Sequence, residues 1–276
     1  MSQIKYHRTW LKLHKGYEKY AYPIIKKALD DQIQPVIKMI DEGNFDVLET
    51  YLPYVMNTTP IREALFEIYP VIGRSAAEFS YDWITDRETK ALSFFNAEWI
   101  QEMVDYFLLN AGNKIQGITD TTLKYMRSLL AESANRNLSR RDQAKFIQET
   151  LNDPAYNRNR ALVIARTEST TAANKGIQVG AESTDYVVEK FWIATLDRRT
   201  RRDHTVASYQ APIPFNADFK VGVSDMAFPG DARGAADEVV NCRCVLGTQA
   251  VKDSDGLPVL KGRASSAGAS RIMLRA

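Results

Sequence analysis

The chain has 276 residues, with 36 basic and 34 acidic side chains and a formal net charge of +2 at pH 7. That length holds one large domain or two smaller ones and buries a sizeable core without covalent staples. Apolar content of 45% with 25% charged residues fits a globular protein, and the balanced charge excludes a global nucleic-acid signature, leaving only local basic clusters to consider. The two cysteines, Cys242 and Cys244, cannot form the disulfide framework of a secreted domain, so a reducing cytoplasm is expected. No apolar run follows a basic start at the N-terminus, and none approaches the ~18 residues of a membrane span. A protein made and used in solution, with no membrane partner, is the expectation.

In chain order, Ile4 to Leu29 carries apolar and aromatic residues at helical spacing, broken by Pro23. Pro35, Pro53, Pro60 and Pro70 then predict short segments rather than long helices. Gly73 to Tyr81 favours neither period. Thr85-Asp86-Arg87-Glu88 has the form of a capping box. The helix it opens places Leu92, Phe95, Trp99, Met103 and Phe107 on one face, as core or oligomer packing or as a groove for a partner helix. Asn110 to Asn113 predicts the end of that helix. Thr119 and Ser139 predict the caps of two more, the first carrying Leu123, Met126 and Leu130, the second Ala144, Ile147 and Leu151 before Asn152-Asp153-Pro154 stops it. A further helix reaches about Ala181, with Ala161, Ile164, Ala165 and Glu168 at helical steps and Ala172, Ala173 and Gly176 small enough for close packing against a sheet.

The period then changes. Val187 to Ala194 is β-branched and aromatic and reads as a strand. Leu196 to Gln210 predicts a turn and a short helix, Ala211 to Gly230 short strands or an extended loop, and Glu238 to Leu246 a final strand. Asp253 to Pro258 is a turn, and Lys261 to Ala276, basic and without an acidic residue, reads as a mobile tail. The expected fold class is α+β and predominantly helical: a helical region at 1–115, a compact module of helices and a small sheet at 116–250, and a basic flexible tail at 251–276.

Four blocks stand out in the second half. They are Arg160 to Glu168, containing Arg166-Thr167-Glu168 and followed by Ala173-Asn174-Lys175-Gly176; Phe191 to His204, containing Trp192, Asp197, Thr200, Arg201 and Asp203; Met226 to Asp231, containing Pro229-Gly230; and Val240-Asn241-Cys242-Arg243-Cys244. In order and in much of their spacing they resemble the C-terminal module of the phage Mu F-like head-morphogenesis family. The resemblance spans about a third of the chain, residues 160–246. It implies a minor head protein of a tailed bacteriophage, associated with the portal and with capsid or scaffolding proteins, carried in the virion after assembly in the host cytoplasm, and linked to DNA packaging or delivery. It implies no enzymatic activity. One departure concerns the turn after His204. Family members commonly have Gly before Gln where this chain has Ser208-Tyr209-Gln210, and Tyr does not adopt positive φ as cheaply as Gly.

The chemistry-bearing residues have a structural and a sharper reading. Arg166 and Glu168, two apart on a helix, do not face one another and need separate partners; they anchor the helix to the sheet or serve catalysis. Asp197 and Thr200 fit a helix N-cap and its first turn. His204 is a base or a hydrogen-bonded structural histidine. On a strand, Cys242 and Cys244 share one face with Arg243 opposite. With His204 they offer zinc-type donors but an incomplete set, so they are read as buried cysteines, with no metal and no cofactor expected. His7 and His14 are read as surface residues. Arg198, Arg199, Arg201 and Arg202, with Lys261, Arg263, Arg271 and Arg275 in the tail, are candidates to meet viral DNA or an acidic protein surface, or form a solvated turn and tail. The rival reading is a hydrolase, nuclease or transferase using Arg166, Glu168, Asp203 and His204.

Overall fold

The structure, a computed structural model, describes residues 3–86 and 97–262. Among the described residues, six α-helices occupy the first two thirds: α1 (Gln3–Asp41), α2 (Leu48–Val55), α3 (Thr59–Thr85), α4 (Ala97–Asn135), α5 (Arg140–Asn152) and α6 (Arg158–Glu182). Then come β1 (Val188–Ile193), α7 (Arg202–Ser208), β2 (Ile213–Pro214), β3 (Phe219–Val221), β4 (Ser224–Met226), α8 (Ala236–Val239) and β5 (Val245–Ala250). The fold is α+β and mostly helical, with one three-stranded antiparallel sheet in the order β2-β1-β5 and a two-stranded β3-β4 hairpin. Among the described residues no helix is long and apolar enough to cross a membrane.

The chain forms two compact units. One comprises residues 1–17, 69–104 and 167–276, the other 18–68 and 105–166, so each draws on both sides of residue 115.

The expectation of short, proline-punctuated segments fails. Pro23 and Pro35 lie inside the 39-residue α1, Pro53 inside α2 and Pro70 inside α3, whereas Pro60 sits in a first turn, where a missing N–H costs nothing. An interior proline costs a helix about 3 kcal/mol or more. Burial on both sides of each offsets that cost. Ala21, Ile25, Leu29, Ile33, Val36 and Ile37 of α1 are all buried, a stripe that continues through both prolines. In the second unit Ile33, Val36, Ile37 and Ile40 pack with Leu48, Leu52, Met126, Leu129, Ile147 and Leu151.

The expected stop at Asn110–Asn113 and cap at Thr119 are also wrong, since α4 runs unbroken from Ala97 to Asn135. Thr119 is a buried mid-helix residue whose hydroxyl donates to Ile115 O and accepts from Gln32 Nε2 at 3.0 Å. Gln32 is fully buried, and it also donates to Asn57 O and accepts from Thr122. The threonines therefore satisfy a buried amide rather than terminate a helix. Thr85 closes α3 instead of opening a helix, its hydroxyl donating back to Tyr81 O; Arg87 and Glu88, like Leu92 and Phe95, lie outside the described residues. Trp99, Met103 and Phe107 are buried, as core packing requires. Ser139 does cap α5, accepting from Asp142 N, and the helix stops at Asn152 as expected.

In the first unit α6 is buried on nearly all sides from Thr167 to Ala181. Its glycines face α3 rather than the sheet. A Cβ on Gly176 would lie 2.1 Å from Gly73 O, and one on Gly180 2.1 Å from Ala77 O. Trp99 Nε1 donates to Ser183 at 2.7 Å. β1 pairs with β5 from Val188↔Ala250 to Ile193↔Val245, and the ring of Phe191 lies over Gly247. Tyr6, in turn packed on Phe79 and Trp83, donates to Leu246 O.

Gly176→Ala and Gly180→Ala should each lower unfolding stability by about 1–3 kcal/mol, as overpacking does. Gly112→Ala, at a helix position with nothing within 4 Å of the new Cβ, should raise it by roughly 0.5–1 kcal/mol. Urea denaturation checks both, and a neutral Gly176→Ala would refute the close α3–α6 crossing.

Candidate functional site

The second, third and fourth blocks and the part of the first from Thr167 onward meet in the first unit, and α6 holds them there. Along α6, Thr167, Thr170, Thr171 and Asn174 form a buried polar row at steps of three and four. Thr167 Oγ1 accepts from Asn241 N at 2.8 Å. Thr170 donates to Cys242 O at 2.8 Å, and Thr171 to Gly230 O at 2.9 Å. Asn174 Nδ2 donates to Pro229 O and Cys244 O at 2.9 and 3.1 Å, and its Oδ1 accepts from Leu246 N at 2.8 Å. The irregular segments at 229–230 and 241–244 thus obtain from side chains the partners that a sheet would otherwise supply. The expected strand at 238–246 is shorter and later. Residues Ala236–Val239 form α8, the Cys-Arg-Cys run is irregular, and β5 begins only at Val245.

His14 joins this row, contrary to its reading as a surface residue. It is buried, with Nε2 2.9 Å from Thr170 Oγ1. The single Thr170 hydroxyl proton goes to Cys242 O, so His14 Nε2 carries the proton and donates. His7 is half-buried, and burial pushes its imidazole below the ordinary value, with Cys244 opposing.

Block two locks onto block four from the other side. Asp197 and Thr200 make a local turn rather than a helix cap. Asp197 Oδ1 accepts from Arg199 N at 2.8 Å, Thr200 donates to Thr195 O, and Arg201 is the residue that precedes α7. Arg243 forks onto Asp197 at 2.5 and 2.8 Å, and this pairing, with the Arg199 N–H, holds the Asp197 carboxyl well below the usual range. Arg201 donates to Val240 O at 2.6 Å, and Thr195 to Arg243 O at 2.8 Å. Tyr209 ends α7 at φ −94°, ψ −5°, so this turn does not require glycine. Positive φ falls instead at Asn241, at +62°, and at Gly230, at +84°. Asn tolerates that conformation better than other side chains, and a Cβ on Gly230 would meet Thr171 Oγ1 at 3.0 Å.

Inside this lattice lies a buried triangle of His204, Cys242 and Cys244. His204 Nδ1 is 3.2 Å from Cys244 Sγ and 3.6 Å from Cys242 Sγ. The Cys244 N–H points to Cys242 Sγ at 3.4 Å. On the far side of the imidazole, Nε2 lies 2.9 Å from Glu238 Oε2, close but not aligned as a hydrogen bond. Trp192 meets the imidazole edge-on at 5.4 Å. The hydrogen bond between the two thiols holds Cys244 well below the usual range, burial opposing and His204 adding to it. The same bond, with burial, pushes Cys242 well above it. Burial pulls the His204 imidazole down, but Cys244 and Glu238 outweigh it and raise it. Glu238 was not singled out by sequence, and neither was Gly222. At φ +57° a Cβ on Gly222 would lie 2.9 Å from both Asp203 Oδ2 and Glu238 Oε1.

The other candidates stand elsewhere. Arg166 pairs with Glu18 at 2.8 Å, and the buried Glu168 accepts from Tyr69 OH at 2.6 Å, so the two have separate partners as their spacing requires. Arg198, Arg199 and Arg202 are exposed, whereas Arg201 is part of the lattice. Lys261 donates to Glu182 O, and Arg263, Arg271 and Arg275, with most of the expected tail, lie outside the described residues. Sequence reasoning missed Lys190, which is 1% exposed on β1, donates to Ala227 O at 2.9 Å and lies near the rings of Phe215 and Phe219. Burial lowers its pKa to about 8. Comparison with protein-family profiles, curated proteins and solved structures finds no match for the chain.

Asn174→Ala leaves two carbonyls and one N–H without that partner and should cost roughly 3 kcal/mol or more; a loss below about 1 kcal/mol on thermal or urea denaturation would contradict the role given to α6. Lys190 supplies a pH test. Below about pH 8 the folded and unfolded chains both hold its proton. Above that, up to the ordinary lysine range, only the unfolded chain does, so stability rises with pH, by up to about 1.4 kcal/mol per pH unit for this group. Lys190→Met should flatten that rise between pH 8 and 10 in denaturation curves.

Proposed function

We propose that this chain is a minor head protein of a tailed bacteriophage, with residues 160–246 as its head-morphogenesis module. The observation that carries the reading is the mutual bonding of the four blocks. Asn174 of the first holds Pro229 of the third and Cys244 of the fourth, while Asp197 and Arg201 of the second hold Arg243 and Val240. Blocks separated by up to 74 residues, as Thr167 and Asn241 are, are thus parts of one lattice. This supports the resemblance in residues beyond a chance scatter of motifs. Arg166, Glu168 and His204 are each engaged by neighbours within the fold, which favours a structural module. The rival hydrolase, nuclease or transferase reading needs Arg166, Glu168, Asp203 and His204 on a common open cleft. Arg166 is bound to Glu18, Glu168 to Tyr69, and His204 is enclosed with the cysteines, so the geometry gives it less support. The partners under this reading are the portal protein and capsid or scaffolding proteins, with exposed Arg198, Arg199 and Arg202 available to DNA phosphates or an acidic protein surface.

The test is location. Antibody against the full chain should label purified phage heads at low copy number, and the chain should co-purify with portal protein after co-expression. Heads lacking the chain, combined with no portal association, would sink the proposal. Replacing Arg198, Arg199 and Arg202 together by Gln should weaken either contact most at low salt, since exposed charges are screened within about 10 Å at 0.1 M.

A further inference from the structure

We propose that His204, Cys242 and Cys244 bind a zinc ion. Two thiolates and an imidazole are the donors that zinc prefers, and all three are buried with their ligand atoms within 4.8 Å of one another. The S···N distances are close to those a metal would set. Tetrahedral zinc, with bonds of about 2.3 Å to sulfur and 2.0–2.1 Å to nitrogen, separates its S and N donors by about 3.5 Å. The two S···N separations are 3.6 and 3.2 Å, so one edge already has that length and the other needs to open by a few tenths of an ångström.

Three features around the triangle point the same way. His204 presents Nδ1 to both sulfurs, and Glu238 Oε2 lies 2.9 Å from Nε2, within reach of a hydrogen bond although not aligned as one. A carboxylate on the far nitrogen of a ligating histidine fixes the tautomer and raises the ring's basicity. The sulfurs receive backbone N–H groups, Cys244 N to Cys242 and Thr195 N to Cys244, which satisfy thiolates without competing with a metal. The triangle also borders a small recess lined by Thr195, Arg199, Thr200, Arg201 and Asn241, with room for about one water-sized occupant. A fourth ligand, water or a group from a partner, enters there. Three protein donors with an open fourth position is a known zinc arrangement. The competing reading is a Cys244–His204–Glu238 nucleophile. It leaves Cys242 without a task and faces a recess too small for a substrate. A site of this kind is independent of where the chain works.

The full-length chain, expressed with zinc and purified reduced without chelator, should carry about one zinc per chain by elemental mass spectrometry. Stripped and titrated with Co²⁺, it should show the visible bands of tetrahedral cobalt and a thiolate charge-transfer band. Cys244→Ser and His204→Asn should lose zinc. Glu238→Gln should still fill at saturating zinc but bind it roughly 10–100-fold more weakly, an effect that simple packing would not produce. If folded wild-type protein, verified by circular dichroism, holds no zinc and gives no cobalt spectrum, the proposal is overturned. Selective alkylation of Cys244 in the native, zinc-supplemented chain would overturn it in favour of the nucleophile.

Discussion

The polar row on α6 is the constraint on which the C-terminal half depends. Between β4 and β5 the chain makes little regular structure, so its backbone groups have no ladder to satisfy them. A buried unpaired carbonyl or N–H costs about 1–3 kcal/mol, and several such groups would undo a domain of ordinary stability. Thr167, Thr170, Thr171 and Asn174 supply the missing partners from a rigid helix. This explains why so polar a helix is nearly enclosed. It buries hydrogen-bonding groups that match an irregular backbone in place of an apolar stripe that matches another helix.

Rigidity on one side lets the other side be set by charge. Asp197 takes the Arg243 fork while Arg201 reaches Val240 O, so a turn rich in arginine is partly neutralised and tied down. Next to the hairpin in sequence, Arg233 joins Asp218 and Asp231, and Asp231 also accepts from Ala227 N. Lys190 donates to Ala227 O in the same segment. The Pro229–Gly230 turn is therefore held from α6, from β1 and by its own aspartate. The positive φ at Gly230 is a consequence of bringing its backbone within reach of Thr171.

What was legible in the sequence divides along physical lines. Helical or alternating patterning gave α5, α6 and β1 close to their observed limits, and the α+β class with them. Proline and capping signals misled in the first half because they are local. They report what an isolated segment prefers, and Ala21 to Ile37 bury enough to carry α1 through two prolines. Thr119 looked like a cap because its real partner, Gln32, is 87 residues away. At the site, the motif residues were visible but their jobs were not. The row at 167, 170, 171 and 174 has helical spacing and could have been found as a polar stripe on an otherwise weakly patterned helix. Glu238, His14 and Lys190 carry no such local signal, because only the tertiary fold brings them to His204, Thr170 and Ala227.

The Asn241-Cys242-Arg243-Cys244 run separates into two kinds of requirement. Asn241 is suited to its positive φ, and Arg243 to its bidentate hold on Asp197. The carbonyls of Cys242 and Cys244 anchor the run to α6, but any residue has a carbonyl. The lattice thus accounts for Asn and Arg by name and for the cysteines only as backbone. Their sulfurs both face one imidazole, Cys242 Sγ receives a backbone N–H, and a carboxylate lies 2.9 Å from the imidazole's far nitrogen. Small apolar side chains would fill the same volume without burying polar and ionisable groups, which is costly unless they are well paired. Packing alone therefore does not explain why thiols, and not alanine or valine, occupy these two positions, whereas coordination chemistry does.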